Sequence, residues 1–227
     1  MPYLVNNPQA IDTLTSLQLD AGRRARFGDP ARYPSVATSL ETLHAIVSQN
    51  ASRVAALASD ETRTEVTKHG IAKDLAERSS RAIEKVAGEI KAKVAHLQNR
   101  GAAMAEEAFA PRPGYSHLES EIRGWVREQV KTPEGMAKVS DLAKKDATVA
   151  GIIYHSPNYL TGINEATHKR MQIEAIERFV PDAYAAINES IELESLSERY
   201  EKSVRDIHAS FYSPHLADKV STRVEID

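Results

Sequence analysis

The fold of this chain is decided by residues 35–58, SVATSLETLHAIVSQNASRVAALA, and residues 71–104, IAKDLAERSSRAIEKVAGEIKAKVAHLQNRGAAM. Both lie in residues 35–110, a stretch of 76 residues without proline, whereas all ten prolines of the chain lie outside it. Because proline costs about 3 kcal/mol inside a helix, this stretch lacks the commonest helix breaker. The chain is 41% hydrophobic but only 6% aromatic, which suits aliphatic helix seams. The sequence therefore predicts long helices here.

Apolar residues in this stretch follow the three- and four-residue spacing of a helix face. The pattern lapses at residues 59–70, where Val66 is the only large aliphatic residue. A continuous rod would be about 110 Å long, but two helices folded back at residues 59–70 would each bury the stripe of the other. Asn50 occupies one slot of the first stripe, where it is either a buried register-setting group or exposed. The stripes comprise Val36, Leu40, Leu43, Val47, Val54 and Leu57, then Ile71, Leu75, Ile83, Val86, Ile90, Val94, Leu97 and Met104.

The first 34 residues are expected to form an arm, a short helix and a connector. Residues 1–7 suggest an extended arm, and Asn7 before Pro8 predicts a helix N-cap with proline in the first turn. That helix should end near Gly22, and residues 23–34 should be irregular. An arginine clamp on a phosphate or carboxylate is one interpretation of this basic segment, and a solvated loop is the other. Its arginines are Arg23, Arg24, Arg26 and Arg32.

Beyond the proline-rich boundary at residues 110–114, further helices are predicted over residues 115–212. Ser116 followed by Glu119 predicts a capping box, and Thr132 before Pro133 predicts another N-cap. The inner face of the first of these helices should contain Leu118, Ile122, Trp125, Val126 and Val130. The last long helix should run over residues 164–208 with a kink or restart at Pro181. Its expected inner stripe is Ile173, Ile176, Val180, Tyr184, Ile187, Ile191, Leu196, Tyr200, Val204, Ile207 and Phe211.

The predicted fold class is all-α, an elongated helical bundle or hairpin with extended N- and C-terminal arms. The expected organisation is an arm, helix and connector at 1–34, a helical hairpin or rod at 35–110, a helical bundle region at 115–212 and a tail at 213–227. In the tail, Val220, Val224 and Ile226 alternate weakly and could add a strand to a neighbour. Disorder is the alternative for this tail.

Composition excludes several classes of function. The net charge of −3 provides no electrostatic footprint for nucleic acid. Cysteine is absent, which excludes disulfides, thiol catalysis and cysteine-based metal sites. No apolar run approaches the length of a membrane span, and the N-terminus does not resemble a signal peptide. We therefore expect a location in the cytoplasm or within a virion assembled there, with no membrane partner.

Two Glu-x-x-His pairs are the strongest candidates for chemistry: Glu41 with His44, and Glu165 with His168. On a helix, positions i and i+3 share a face, and two such pairs with two more glutamates build a di-metal carboxylate site. Residues 1–40 contain no glutamate, so one ligand of that pattern is missing. About 0.7 such pairs arise by chance in this composition. The expectation is therefore no metal, with these four residues as candidates if there is one.

No cofactor or catalytic residue is predicted. The chain contains no phosphate-binding glycine motif and no His-Glu-x-x-His. The segment Tyr154-His155-Ser156, with Tyr159 nearby, clusters titratable groups as a small site would, although a helix connection whose aromatic rings close the bundle end explains it as well. The chain is accordingly expected not to be an enzyme.

The residues best suited to contact other chains are aromatic or lie in the terminal arms. Trp125, the lone tryptophan, is expected in the core and is also a candidate interface anchor. Between residues 165 and 201, nine acidic residues stand against four basic ones, which would suit an adaptor that binds a partner protein. The interface candidates are Tyr3, Leu4, Val5, Trp125, Tyr154, Tyr159, Tyr200 and Phe211.

The segment DATVAGIIYHSPNYLTGI, residues 146–163, leads into a charged terminal helix. It resembles stretches in uncharacterised small helical proteins of tailed phages and prophages. The resemblance implies a virion-associated or morphogenesis role, such as a neck, tail, scaffold or internal protein, and it implies no functional residues. Together with the helical stripes, it favours a non-catalytic structural protein that contacts copies of itself and other structural proteins. A metal-binding helical bundle or enzyme and a regulatory adaptor are the alternatives.

Overall fold

The computed structural model describes residues 3–219, and within this range the chain is helical with no strand. The expected all-α class is confirmed. The tail at Val220, Val224 and Ile226, for which a strand and disorder were the alternatives, lies outside the described residues. Among residues 3–219, no helix has both the length and the apolar character needed to cross a membrane.

The helices have the following bounds in chain order. They are α1 (Pro8–Gln18), α2 (Asp20–Phe27), α3 (Ala37–Ala58), α4 (Glu65–Ala108), α5 (Ser116–Gln129), α6 (Pro133–Ala143), α7 (Ala147–His155), α8 (Asn158–Thr161), α9 (Glu165–Phe179), α10 (Pro181–Phe211) and α11 (Pro214–Ala217). A short 3-10 helix, Pro34–Val36, precedes α3.

The chain divides into two compact units. Of the described residues, the first unit contains 3–94 and 191–219, and the second contains Ala95–Ser190. The first unit therefore holds α1 to α3, the N-terminal part of α4, the C-terminal part of α10, and α11. The second unit holds the rest of α4, α5 to α9 and the start of α10.

In the first unit, α3 and α4 pack antiparallel. The break between them at residues 59–64 falls within the polar gap at 59–70, because a turn there removes no apolar contact. The side chain of Asn50 is buried and donates a hydrogen bond to Ser79 Oγ at 3.0 Å. Nearer the start of α3, Ser39 donates to Glu89 further along α4, which is the order that antiparallel helices require. Asn50 is thus a buried polar contact within the seam.

A third long helix, α10, completes the core of this unit. His208 Nε2 lies 2.9 Å from Ser80 Oγ, and the backbone N–H of Ser213 donates to His69 Nδ1 at 3.0 Å. Helices α1 and α2 pack on α3. Burying each large aliphatic side chain contributes about 1.5–3 kcal/mol, so the buried stripes are the main source of stability. The fully buried large residues include Leu14, Leu17, Phe27, Leu40, Leu43, Ile83, Ile90, Leu193, Ile207 and Phe211.

The second unit has two small apolar clusters. One joins the end of α4 to α7, α9 and the start of α10, and it consists of Ala105, Phe109, Ala150, Ala175, Ile176, Val180 and Ala183. The other joins α5, α6, α7 and α9, and it consists of Val126, Val139, Val149, Ile153, Ile163 and Met171. Both clusters draw on α7, which explains why that short helix is apolar on more than one face.

Helix caps confirm some local predictions and correct others. Asn7 accepts from the N–H of Ala10, and Thr132 accepts from the N–H of Gly135, as N-caps do. The chain also restarts at Pro181, where α10 begins. The capping box at Ser116 is wrong: α5 begins at Ser116 itself, and the residue before it makes no side-chain cap. Residues 20–27 form α2, so the connector is shorter than expected.

Some residues assigned to inner faces are exposed. They are Leu118 and Trp125 on α5, Ile173 on α9 and Ile191 on α10. Helical spacing identifies a stripe, but the position of neighbouring helices decides which edge of the stripe is covered.

We expect opposite effects from two glycine substitutions in α4. A Cβ at Gly88 would meet no heavy atom within 4 Å, so Gly88→Ala should raise the free energy of unfolding by about 0.5–1 kcal/mol through helix propensity. At Gly101 the added Cβ would lie 2.7 Å from Ile187 Cγ1 and 3.0 Å from the carbonyl oxygen of Ala183. Gly101→Ala should therefore be destabilising. Urea titration of both variants measures the difference, and equal effects would contradict this packing.

Candidate functional site

The second unit contains a pocket of about 240 Å3, a volume below the roughly 300–1,000 Å3 usual for small-molecule sites. Its walls come from the end of α4, the first half of α5 and one face of α7. An apolar cavity of about 150 Å3 can hold a benzene ring. The pocket is therefore large enough to hold one large side chain, including one whose ring carries a polar group.

The pocket exists because α4 stops and the chain turns back across α7. The segment after Ala108 contains two prolines, which end the helix and lead into α5. Phe109 packs on Tyr154, with ring centroids 4.9 Å apart, and it lies against Gly151, where an added Cβ would be 3.3 Å from Phe109 Cδ1. Phe109 thereby fixes one apolar wall, and Leu118 on α5 supplies another.

Polar groups lie among these apolar walls. Ser156 follows α7 and is only 4% exposed, and its Oγ has no hydrogen-bond partner among residues 3–219. A buried polar atom without a partner costs about 1–3 kcal/mol. Arg123 lies 3.7 Å from Glu119 at one edge, and His155 is exposed at another. Ser156 and His155 belong to the residue cluster that the sequence singled out.

Exposed apolar side chains lie on α5 and α8, which both contribute to the pocket, and directly before α5, and we term this set the aromatic surface. On α5, Leu118 and Trp125 are seven residues apart, which places them on one stripe two turns apart. Arg127 Nε donates to the carbonyl oxygen of Leu160 at 3.1 Å, which holds α8 beside α5. Tyr159 on α8 is 76% exposed. The aromatic surface consists of Tyr115, Leu118, Trp125, Tyr159 and Leu160.

The structure distributes the predicted interface residues among three environments. Trp125 and Tyr159 belong to the aromatic surface. Tyr154 is half-buried against Phe109, and burial raises the pKa of its hydroxyl. Tyr200 and Phe211 are core residues of the first unit. Tyr200 Oη donates to the carbonyl oxygen of Phe27 at 2.8 Å, so its hydroxyl already has a partner within the chain. The arm residues Tyr3, Leu4 and Val5 are half-buried.

The two Glu-x-x-His pairs lie in different units. His168 Nε2 is 2.9 Å from the carbonyl oxygen of Ile153, and Glu165 forms an ion pair with Lys169. Glu41 is exposed beside the buried His44. Within residues 3–219, no group of three or more histidine, aspartate or glutamate side chains is arranged to hold a metal ion.

The arginines of the basic segment are used within the first unit. Arg32 forms two hydrogen bonds to Glu192, at 2.8 and 3.1 Å, and Arg26 pairs with Asp206 at 3.0 Å. Both acidic partners are on α10. Arg23 donates to carbonyl oxygens at the end of α1. Arg24 forms ion pairs with Asp20 and Asp29. These contacts hold α2 and the connector in place.

Sequence reasoning missed Tyr115 and Leu160 as surface residues, and it placed Leu118 in the core. Each is an ordinary apolar residue near a helix end, so no local signal marks it as exposed. Only the arrangement of α5, α7 and α8 reveals the pocket.

No protein-family model, curated protein or solved structure matches this chain.

We expect acid to destabilise the first unit through His44. Burial lowers the pKa of His44 below the 6.5 of an exposed imidazole, with Arg23 acting in the same direction, and burial also lowers the pKa of His69. Below pH 6.5, these two histidines therefore bind more protons in the unfolded chain than in the folded one. Stability from these groups is complete above pH 6.5 and decreases as the pH falls through the folded-state pKa.

Thermal unfolding at pH 7.5 and pH 5.0 measures this effect. The melting temperature should be lower at pH 5.0, and His44→Gln should narrow the difference. His96→Gln is the control because His96 is exposed. An equal pH dependence in His44→Gln and the wild type would contradict the assignment to His44.

Proposed function

We propose that this protein is a non-catalytic assembly protein that joins copies of itself through the aromatic surface. The observation that carries the proposal is a group of exposed apolar side chains around a pocket of side-chain size. Contiguous exposed apolar patches mark protein interaction sites, and binding energy concentrates in aromatic anchors that fill pockets.

The exposed aromatic area is of the right order for a dimer. Tyr115, Trp125 and Tyr159 are 50%, 37% and 76% exposed, which corresponds to roughly 300 Å2 if each side chain can bury about 200 Å2. A standard interface buries about 800 Å2 per partner, of which about 65% is apolar in homodimers. Three side chains would thus provide more than half of the apolar contact.

The surface also has the form that two-fold symmetry requires. A two-fold axis brings the same surface of both copies together, so each protruding group must meet a recess. Tyr159 protrudes, and it is adjacent in sequence to Leu160, which lines the pocket. We place Tyr159 of one copy in the pocket of the other, with its hydroxyl as a hydrogen-bond partner for Ser156.

Substitution of the two most prominent aromatic residues should give a monomer. In size-exclusion chromatography with light scattering, the wild type should be oligomeric and the Trp125→Ser/Tyr159→Ser variant monomeric, since the variant loses the aromatic anchors. Ile191→Ser is the matched control, because Ile191 is an exposed aliphatic residue of the first unit. A wild type that is monomeric at all concentrations would refute self-assembly.

Mixing complementary variants tests the pairing of Tyr159 with the pocket. Ala108 is exposed and lines the pocket, so Ala108→Trp should fill it without displacing a buried group. In a dimer of Ala108→Trp copies both pockets are filled, and in a dimer of Tyr159→Ala copies both tyrosines are missing, so neither dimer has a tyrosine in a pocket. A mixed dimer has one, because Tyr159 of the Ala108→Trp copy can enter the open pocket of the Tyr159→Ala copy. Mixing should therefore restore dimers, and failure of the mixture to associate while the wild type does would exclude this pairing.

The resemblance of residues 146–163 to stretches of phage proteins supports a virion-associated setting for this assembly role, in the neck, tail, scaffold or interior. Mass spectrometry of purified particles should then detect this chain. Its absence from particles at every stage of assembly would exclude that setting and leave self-assembly as a separate question.

A further inference from the structure

The first unit carries an open groove of about 660 Å3 between α4 and α10. One wall is the stripe of α4 from Ile83 to Val94, and the other is the stripe of α10 from Glu194 to Arg205. Each wall spans 11 helical steps, or about 16 Å. The helices run antiparallel here, since Ser80 and His208 meet just beyond the end of the groove. An elongated recess of three helical turns has the dimensions of a docked helix.

The floor of the groove is apolar. Ile83, Val94 and Tyr200 contribute to it and are largely buried. Gly88 lies in the same lining, in the interior of a long helix, and a Cβ there would meet nothing within 4 Å. Glycine weakens a helix interior, and it allows another backbone to approach closely. No contact of Gly88 within residues 3–219 requires a glycine, and its missing side chain leaves room above the floor for an approaching helix.

The rim of the groove is acidic. Glu84 lies on the α4 side, and the α10 side has Glu194 and Glu198. These three carboxylates have no ion-pair partner among residues 3–219. Glu201 is also in the lining and lies 3.9 Å from Arg205. The lining contains one further basic residue, Lys91. The unpaired rim groups are therefore three carboxylates and one lysine. Two of the carboxylates are on α10, and on α4 Glu84 is accompanied by Lys91.

We propose that this groove binds a basic amphipathic helix of a partner protein. Its apolar stripe lies on the floor across Gly88, and lysine or arginine residues on its two flanks face Glu84 on one side and Glu194 with Glu198 on the other. Opposite charges on both rims set the orientation of the helix and increase its rate of association. This site belongs to the first unit and is separate from the aromatic surface.

Fluorescence anisotropy with labelled peptides tests the proposal on the full chain. The probe is an 18-residue amphipathic helix of leucine and lysine, and the matched peptide has glutamate in place of every lysine. We expect saturable binding of the lysine peptide, at least tenfold weaker binding of the glutamate peptide, and weaker binding at high salt.

Two pairs of variants separate the groove from general charge. Glu194→Lys/Glu198→Lys should weaken binding at least tenfold, whereas Glu61→Lys/Glu107→Lys makes the same charge change at exposed sites outside the groove and should leave binding within twofold. Gly88→Trp should fill the groove and abolish binding, while Gly88→Ala should retain most of it. Circular dichroism shows that each variant is folded.

Equal weakening by the two charge reversals, or equal binding of both peptides, would overturn the proposal. No binding to the folded wild type would overturn it as well. If Gly88→Trp abolishes self-association without peptide, the groove is a contact between copies and the partner proposal is wrong. The Trp125→Ser/Tyr159→Ser variant should bind the peptide like the wild type, so failure of the self-assembly proposal remains distinguishable from failure of this one.

Discussion

The packing of α3 against α4 is the interaction on which the first unit depends. A helix is marginal in water without tertiary contacts, and most of its stability comes from burial of one face. The aliphatic stripes of α3 and α4 meet each other, and α10 covers the remaining edge. Asn50 bonds to Ser79 within this apolar seam. A shift of one helix along the other would leave that amide without its partner, so Asn50 favours the observed register.

Charge in the first unit is divided between structural and exposed roles. The basic residues of α2 and the connector contact α10 through Arg26 with Asp206 and Arg32 with Glu192. These pairs position α2 and the connector, while between Glu192 and Asp206 the carboxylates of Glu194 and Glu198 on the groove rim are exposed. Some acidic residues of α10 thus form ion pairs within the first unit, whereas others are exposed. The sequence composition gives only the total number of acidic residues.

The two candidate surfaces differ in how far the sequence predicted them. Trp125 and Tyr159 were candidates because lone or loop-borne aromatic residues often anchor interfaces, and both side chains are exposed in the structure. The pocket near α5 could not be predicted, because its walls come from several helices whose packing angles are not set by local sequence. The groove could not be predicted either. From the sequence, Gly88 only weakens a helix, and its place in the lining of a groove is visible only when α4 and α10 are seen together. The alternative metal pairs have the correct local spacing, but their residues lie in different units.

The sequence by itself determined the all-α class, the caps at Asn7 and Thr132, the position of an interruption at Pro181, and the polar gap in which α3 ends and α4 begins. These features depend on local chemistry: proline geometry, side-chain caps and the helical spacing of apolar residues. Only the tertiary structure decided which apolar residues are buried, because burial depends on where neighbouring helices lie. Leu118 and Ile191 fit their stripes and are exposed, whereas Tyr200 and Phe211, which the sequence offered both as stripe residues and as interface candidates, are core. The aromatic surface and the groove both arise from that distinction.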